Sequence, residues 1–307
     1  MKIIRRLIDY NSIEPLAISI GNFDGVHIAH QEVIKRSVNY AKNNNIKSAV
    51  ITFSPHPLKY FGYDVKILTT ERKKIELVEK LNIDYMFILD FGEVVSLPSD
   101  VFVEEVLLNK LHMAFIAVGF NYRFGKKNSG DVTLLKLFSK RYGFVIDVVD
   151  RVIINDMLVS STNIRNLLLE GELELVNKML GRFYSLEGNV ISGKSIGKLL
   201  GFPTANIKTD NEVLPKFGVY AGRVKINKEY YPAAINIGRR PTVNDNFVCV
   251  EAHIIDFTGD LYDQFVEVEL IRYIRGEKKF DDFQSLSNQI RKDVTTILDI
   301  LKSEKLR

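Results

Sequence analysis

Two histidines three residues apart, His27 and His30, close the stretch Ala17-Ile18-Ser19-Ile20-Gly21-Asn22-Phe23-Asp24-Gly25-Val26-His27-Ile28-Ala29-His30. In the first turn of a helix that spacing puts both imidazoles on one side, where their N–H groups can donate hydrogen bonds to a phosphate. Gly21 and Gly25 bracket the turn before them, with Asp24 inside it. A short apolar strand, a glycine turn and a helix start together aim backbone N–H groups and a helix dipole at an anion. A glycine turn before a helix is common, and a lone histidine is usually a satisfied polar group. The combination of two histidines, an aspartate and two glycines in one such turn points to a phosphate site.

Five further clusters carry groups that could do chemistry. Ser160-Ser161-Thr162-Asn163-Ile164-Arg165 opens a helix. Its hydroxyls suit an N-cap, but Arg165 in the first turn opposes the helix dipole unless an anion binds there. Ser54-Pro55-His56-Pro57 is either a rigid turn with a surface histidine or a substrate contact. Phe120-Asn121-Tyr122-Arg123-Phe124-Gly125 alternates aromatic and polar residues. That pattern suits stacking on a flat ring, or simply a strand end that continues its alternation. The loop running from Gly193 to Asn206 holds Gly193, Lys194, Gly197, Lys198 and Gly201, a set able to wrap phosphates, although its spacing is not that of a Walker loop. Thr204 and Asn206 at its end offer two hard oxygen ligands on one side of an extended segment, which suits Mg²⁺. In Val250-Glu251-Ala252-His253-Ile254, Glu251 is either an exposed strand residue or a carboxylate aimed into a site.

The elements that must position these groups follow from periodicity. Apolar runs at 16–20, 48–53, 85–91, 115–119 and 144–149 alternate with helical patterns at 27–43, 71–81, 99–110 and 131–142. Such alternation predicts right-handed crossovers and a parallel sheet, with ligands beyond the carboxyl ends of its strands. After Gly181-Arg182-Phe183 the pattern changes to short strands at 186–191, 219–226, 231–237, 248–257 and 265–273, separated by glycine turns, which predicts a small β-barrel. An amphipathic helix is expected from 281 to about 302. The chain is thus expected to be α/β, with a parallel-sheet domain over 1–182 and an antiparallel barrel domain with a terminal helix over 183–307.

Composition bounds the partners. The 307 residues carry a net charge of +4, with 46% hydrophobic and 26% charged residues, the balance of an ordinary globular protein. A small basic excess suits anionic small ligands and does not call for nucleic acid. One cysteine, Cys249, excludes an internal disulfide and any cysteine-based zinc cluster, so a reducing, cytoplasmic setting is expected. The first residues show no apolar leader, and no run reaches the roughly 18 apolar residues of a membrane span, so no membrane partner is expected. Oligomeric state is not readable from these features.

With these pieces assembled, Gly21 through Gln31 resembles the HxGH-type signature of nucleotidyltransferases in the form found in bacterial FAD synthetases. Ser161-Thr162-Asn163-Ile164-Arg165 resembles the second phosphate motif of that superfamily, and Thr52 to Pro57 and Val118 to Gly125 match the same form. In the second half, Gly193 to Asn206 resembles the signature of riboflavin kinase, followed in order by Phe217-Gly218-Val219-Tyr220, Asn236-Ile237-Gly238, Pro241-Thr242 and Val250-Glu251. Together these imply a bifunctional riboflavin kinase/FMN adenylyltransferase, with a Rossmann-like nucleotidyltransferase domain, a riboflavin kinase-like barrel, ATP, riboflavin and FMN as substrates, and Mg²⁺.

The resemblance assigns Glu251 as general base, Thr204 and Asn206 as metal ligands, and Gly193, Lys194, Gly197 and Lys198 as phosphate-binding residues. It gives His27, His30 and Arg165 catalytic roles, gives Gly21, Phe23, Asp24, Gly25, Ser161 and Thr162 to the ATP phosphates, and gives Pro55, His56, Asn121 and Arg123 to the flavin. The family usually carries Gly where this chain has Ala29, and often Arg where it has Lys198. In a first helical turn Ala29 would be the better helix former by up to about 1 kcal/mol, with a methyl added where ATP approaches. That leaves a kinase with weakened or lost adenylyl transfer as a second reading, and a flavin- or nucleotide-binding regulator without turnover as a third. Retention of Glu251, Thr204, Asn206 and both histidines argues for turnover.

Overall fold

The computed structural model describes residues 1–192, 197, 201–241 and 246–304. They form two compact units, Met1–Ser161 and Thr162–Arg307.

The first unit is built on strands β1 (Lys2–Ile4), β2 (Leu16–Ile20), β3 (Lys47–Ser54), β4 (Tyr85–Asp90), β5 (Met113–Gly119) and β8 (Val145–Val149). They pair in the order β1-β4-β3-β2-β5-β8, all parallel. Helices α1 (Ile28–Asn44), α3 (Glu71–Glu79) and α6 (Val132–Tyr142) supply crossovers. The crossover before β5 starts at Ser99 and widens over Phe102–Lys110 into a π-helix. β2 is buried at all five positions, as expected for a strand covered on both faces. One core cluster joins Leu16, Ile18 and Ile116 to Phe102 and Leu135, while the other joins Ala17, Val50 and Phe115 to Val33 and Ile34 of α1. The chain runs from β2 outward to β3 and β4, then returns to β5 on the other side of β2. That reversal puts the topological switch point at the carboxyl end of β2, where ligands bind in open α/β sheets.

Every strand and helix expected in this half is present, with no end shifted by more than two residues. The sixth strand, β1, was not expected. Three residues are too few to show a period, and β1 is held at the sheet edge by pairing with β4.

The second unit opens with α7 (Ser161–Glu170, its first residue belonging to the first unit) and α8 (Leu173–Leu180). A closed antiparallel barrel follows in the order β11-β12-β15-β14-β13-β16. Its strands are β11 (Tyr184–Ile191), β12 (Ala205–Thr209), β13 (Gly218–Ile226), β14 (Glu229–Pro241), β15 (Asn246–Ile254) and β16 (Phe265–Arg275). Closure brings backbones close enough that two strand positions must be glycine. A Cβ on Gly188 would lie 2.0 Å from the Lys208 carbonyl oxygen, and one on Gly222 would lie 2.2 Å from that of Glu269. The Asn177 side chain ties α8 to the barrel, accepting from Tyr184 N–H at 2.7 Å and donating to the Leu270 carbonyl at 3.1 Å.

The terminal helix α9 (Phe283–Glu304) packs Ile297 and Leu301 on Val219, Ala221 and Ile271. It is pinned by Arg275, whose guanidinium grips the Asp293 carboxylate at 2.7 and 3.0 Å. β12 was the barrel strand not expected, because its residues lie at the end of the glycine-lysine loop and read as part of a ligand loop. Among the described residues no helix is long and apolar enough to cross a membrane.

Candidate active sites

The turn after β2 is drawn into a sharp shape by its own backbone. Phe23, Gly25 and Val26 have φ of 48°, 83° and 38°, so two L-residues, one of them β-branched, sit in the left-handed region. Each such residue costs on the order of 1–2 kcal/mol and persists only where its surroundings over-determine it. Here the surroundings are explicit. Asp24 is buried and its Oδ1 accepts from Leu68 N–H at 2.9 Å, while Gly25 N–H donates to Thr69 Oγ1 at 3.2 Å. The Asn22 carbonyl accepts from Thr52 Oγ1 at 3.1 Å and from Lys74 Nζ at 2.9 Å, and the Asp24 carbonyl accepts from Ser161 Oγ at 2.9 Å. A Cβ on Gly21 would meet the buried Phe23 ring at 3.3 Å.

His27 caps α1, its Nδ1 accepting from His30 N–H at 3.3 Å, so the two histidines do share the helix start. Their rings stack with centroids 3.5 Å apart, and Phe23 sits edge-on to His30 at 5.3 Å. His30 keeps a partly exposed edge, but its Nδ1 is buried and makes no hydrogen bond. Burial first, then the neighbouring His27 and Lys74, hold its pKa well below the usual 6.5, so the ring is neutral. A neutral, oriented His30 beside His27 at a helix N-terminus can hydrogen-bond an anion without adding a buried charge of its own. Ala29 lies in the first turn of α1, as anticipated.

Asp24 and Phe23 therefore act on the turn: the carboxylate braces the backbone, and the aromatic ring seats His30. Thr162 follows Ser161 in the first turn of α7 and is exposed, while Arg165 is the fifth residue of the helix and half-buried. The Ser54–Pro55 peptide is cis, and His56 caps the short helix α2 (Pro57–Tyr60) by accepting from Leu58 N–H at 3.2 Å. Beyond it Tyr60, Phe61 and Tyr63 are 46%, 60% and 64% exposed, an aromatic patch that sequence reasoning passed over. Asn121 is exposed after β5, and Arg123 forms a surface ion pair with Asp131 at 3.2 Å.

In the barrel, β15 alternates as expected. Val250, Ala252 and Ile254 are buried, and Glu251 falls on the opposite face. Register settles which residues share that face. Asn206 on β12 and Asn236 on β14 both stand directly opposite Glu251. Directly opposed residues lie side by side on one face of a sheet, so the three form a polar row across three strands. Asn236 joins this row only through cross-strand register, which leaves no trace in a single sequence.

Asn206 is buried, and its Oδ1 lies 3.5 Å from the buried Cys249 thiol. Thr204 immediately precedes β12 and packs on Gly197, where a Cβ would meet the Phe202 carbonyl at 2.4 Å. Gly193, Lys194 and Lys198 lie outside the described residues. Lys74 and Thr69 are site groups missed in the sequence, because Glu71-Arg72-Lys73-Lys74 reads as a solvated charge run.

A parallel sheet with a braced histidine turn at its switch point, followed by a barrel carrying a hydroxyl-amide-carboxylate set, is the layout of a two-centre phosphate-transferring protein. The FAD synthetase family model matches residues 10–163 and the riboflavin kinase family model residues 180–301. The chain is 38% identical over 96% of its length to the bifunctional riboflavin kinase/FMN adenylyltransferase of Haemophilus influenzae, covering 98% of that protein. It is 37% identical over 90% of its length to the protein of the same name from Listeria monocytogenes, covering 89% of it. A crystal structure described as a macrolide-efflux protein from Streptococcus pneumoniae superposes with a TM-score of 0.86 at 26% identity, over 95% of this chain and 96% of that one. The chain belongs to the bifunctional riboflavin kinase/FMN adenylyltransferase family.

Proposed function

We propose that this chain phosphorylates riboflavin to FMN in residues 183–307 and adenylylates FMN to FAD in residues 1–182. The observation that carries the kinase half is the Asn206–Glu251–Asn236 row beside Thr204. The 5′-hydroxyl of riboflavin attacks the γ-phosphorus of ATP, Glu251 accepts its proton as the new P–O bond forms, and ADP leaves. Thr204 and Asn206 suit Mg²⁺, a hard cation commonly held by few protein ligands together with substrate phosphates. Asn206 is buried in register with a carboxylate, as a ligand of such a site would be, and the ion would neutralise charge on the transferring phosphate. Among the described residues no cluster of three acidic, histidine or cysteine side chains offers an all-protein cage, which suits a metal that arrives with ATP.

In the first half, a phosphate oxygen of FMN attacks the α-phosphorus of ATP and pyrophosphate departs. No covalent intermediate is needed, so positioning and charge stabilisation supply the rate. The strained turn and the stacked histidine pair support that role: His27 and His30 hydrogen-bond the phosphates, and Ser161, Thr162 and Arg165 receive the leaving pyrophosphate. Phe23, Asp24, Gly21 and Gly25 shape the turn. Pro55, His56, Asn121 and Arg123 are proposed for the flavin side, with Pro55 and His56 leading into the short helix that ends in the exposed Tyr60. The single cysteine and the absence of a membrane-crossing helix among the described residues support a cytoplasmic setting.

Two variants test the assignment. Glu251→Gln should lower FMN formation by about two to four orders of magnitude and leave FAD formation from supplied FMN intact. His30→Ala should do the reverse. Loss of both activities in either variant, or of neither, would overturn the division of labour.

A further inference from the structure

Helix α3 turns two lysines toward the protein interior, and they are treated differently. Lys73 is paired with Glu76 at 3.1 Å. Lys74 is only 8% exposed, and among the described residues it makes no ion pair. Its Nζ donates to one group, the neutral carbonyl of Asn22 at 2.9 Å, in the same turn that leads to His27 and His30. An ammonium buried without a partner charge is unfavourable, and burial indeed lowers the pKa of Lys74 against the opposing pull of Asp24 and Glu71. Its charge is felt at His30, whose buried Nδ1 also lacks a hydrogen-bond partner. Two under-satisfied buried groups thus flank one strained turn. An anion seated there would accept from the ammonium and from an Nδ1–H tautomer of His30, satisfying both.

We propose that Lys74 is a phosphate-contacting residue of the adenylyl-transfer centre, a fixed cation supplied by α3 for the phosphate chain of the nucleotide. This rests on the function proposed for residues 1–182. The competing role is purely structural: Lys74 would only brace the Asn22 carbonyl, which Thr52 also does. The two roles part company in a direct test.

Pyrophosphate with Mg²⁺ is titrated into full-length wild type, Lys74→Met, Lys74→Arg and Thr52→Val, with binding followed by calorimetry, and FAD formation is measured on the same preparations. Riboflavin phosphorylation by each protein reports an intact chain. Lys74→Met should weaken pyrophosphate binding at least about tenfold and lower FAD formation about a hundredfold or more, the usual scale for a preorganised charge-stabilising group. Lys74→Arg should recover much of the binding, and Thr52→Val should bind as wild type does. Unchanged pyrophosphate affinity in Lys74→Met, equal weakening in Thr52→Val, or no pyrophosphate binding by wild type would each overturn the proposal. If wild type binds pyrophosphate through Lys74 yet forms no FAD, the assigned reaction fails and the anion site stands.

Discussion

Protonating His30 should cost the first unit stability, and the size of the effect follows from its surroundings. The ring stacks on His27, Phe23 abuts it, and its Nδ1 is buried without a partner. An imidazolium there would bury a charge beside Lys74 and leave an N–H unsatisfied. The folded-state pKa is therefore depressed well below the 6.5 of the unfolded chain, chiefly by burial. The sign is set by proton uptake. Below pH 6.5 the unfolded state binds a proton that the folded state refuses, so stability present above 6.5 is lost as pH falls. The loss approaches about 1.4 kcal/mol between about pH 7.5 and 5.5, the limit for one proton. For a unit of this size that is roughly 3–6 °C in Tm.

Differential scanning calorimetry at the two pH values, on wild type and His30→Gln, isolates the effect, since glutamine does not titrate. The wild-type transition should fall by roughly 3–6 °C more than that of the variant. An equal fall in both proteins would refute the picture of a neutral, unpartnered His30.

Other perturbations follow from the same contacts. Thr69→Val removes the acceptor for the buried Gly25 N–H, which should cost about 1–3 kcal/mol and slow FAD formation without slowing FMN formation, as separate product assays would report. Arg275→Met leaves the buried Asp293 carboxylate without its bidentate partner, and should destabilise the barrel by about 3–5 kcal/mol in a urea titration followed by circular dichroism. Ala29→Gly in the first turn of α1 should cost up to about 1 kcal/mol of stability while removing a methyl from the nucleotide side, so thermal stability and the KM for ATP should fall together.

What the sequence made legible divides along physical lines. The glycine turn and the histidine pair were visible because residue type alone restricts them: Gly25 takes φ of 83°, and two imidazoles three apart must share a helix start. Strands such as β2 and β15 announced themselves by a short, largely apolar run or by strict alternation. Long-range placement left no such trace. Nothing local distinguishes the buried Lys74 from the exposed Glu71 and Arg72 of the same charge run, and the bracing of Asp24 by Leu68 N–H spans 44 residues. Phe23 and Val26 in left-handed conformations run against their own preferences, as happens where a site imposes its shape. The Asn236–Glu251 partnership exists only in barrel register.

The central claim is that one chain performs two successive transfers from ATP, and labelled ATP tests it most directly. Purified protein is incubated with riboflavin, Mg²⁺ and ATP labelled in either the γ- or the α-phosphate, and the flavins are separated. The account predicts that the γ-label enters FMN and passes on into FAD, while the α-label enters FAD alone and pyrophosphate is released. Labelled FMN without FAD would contradict the adenylyl-transfer centre built on His27 and His30, and unlabelled riboflavin would contradict both centres.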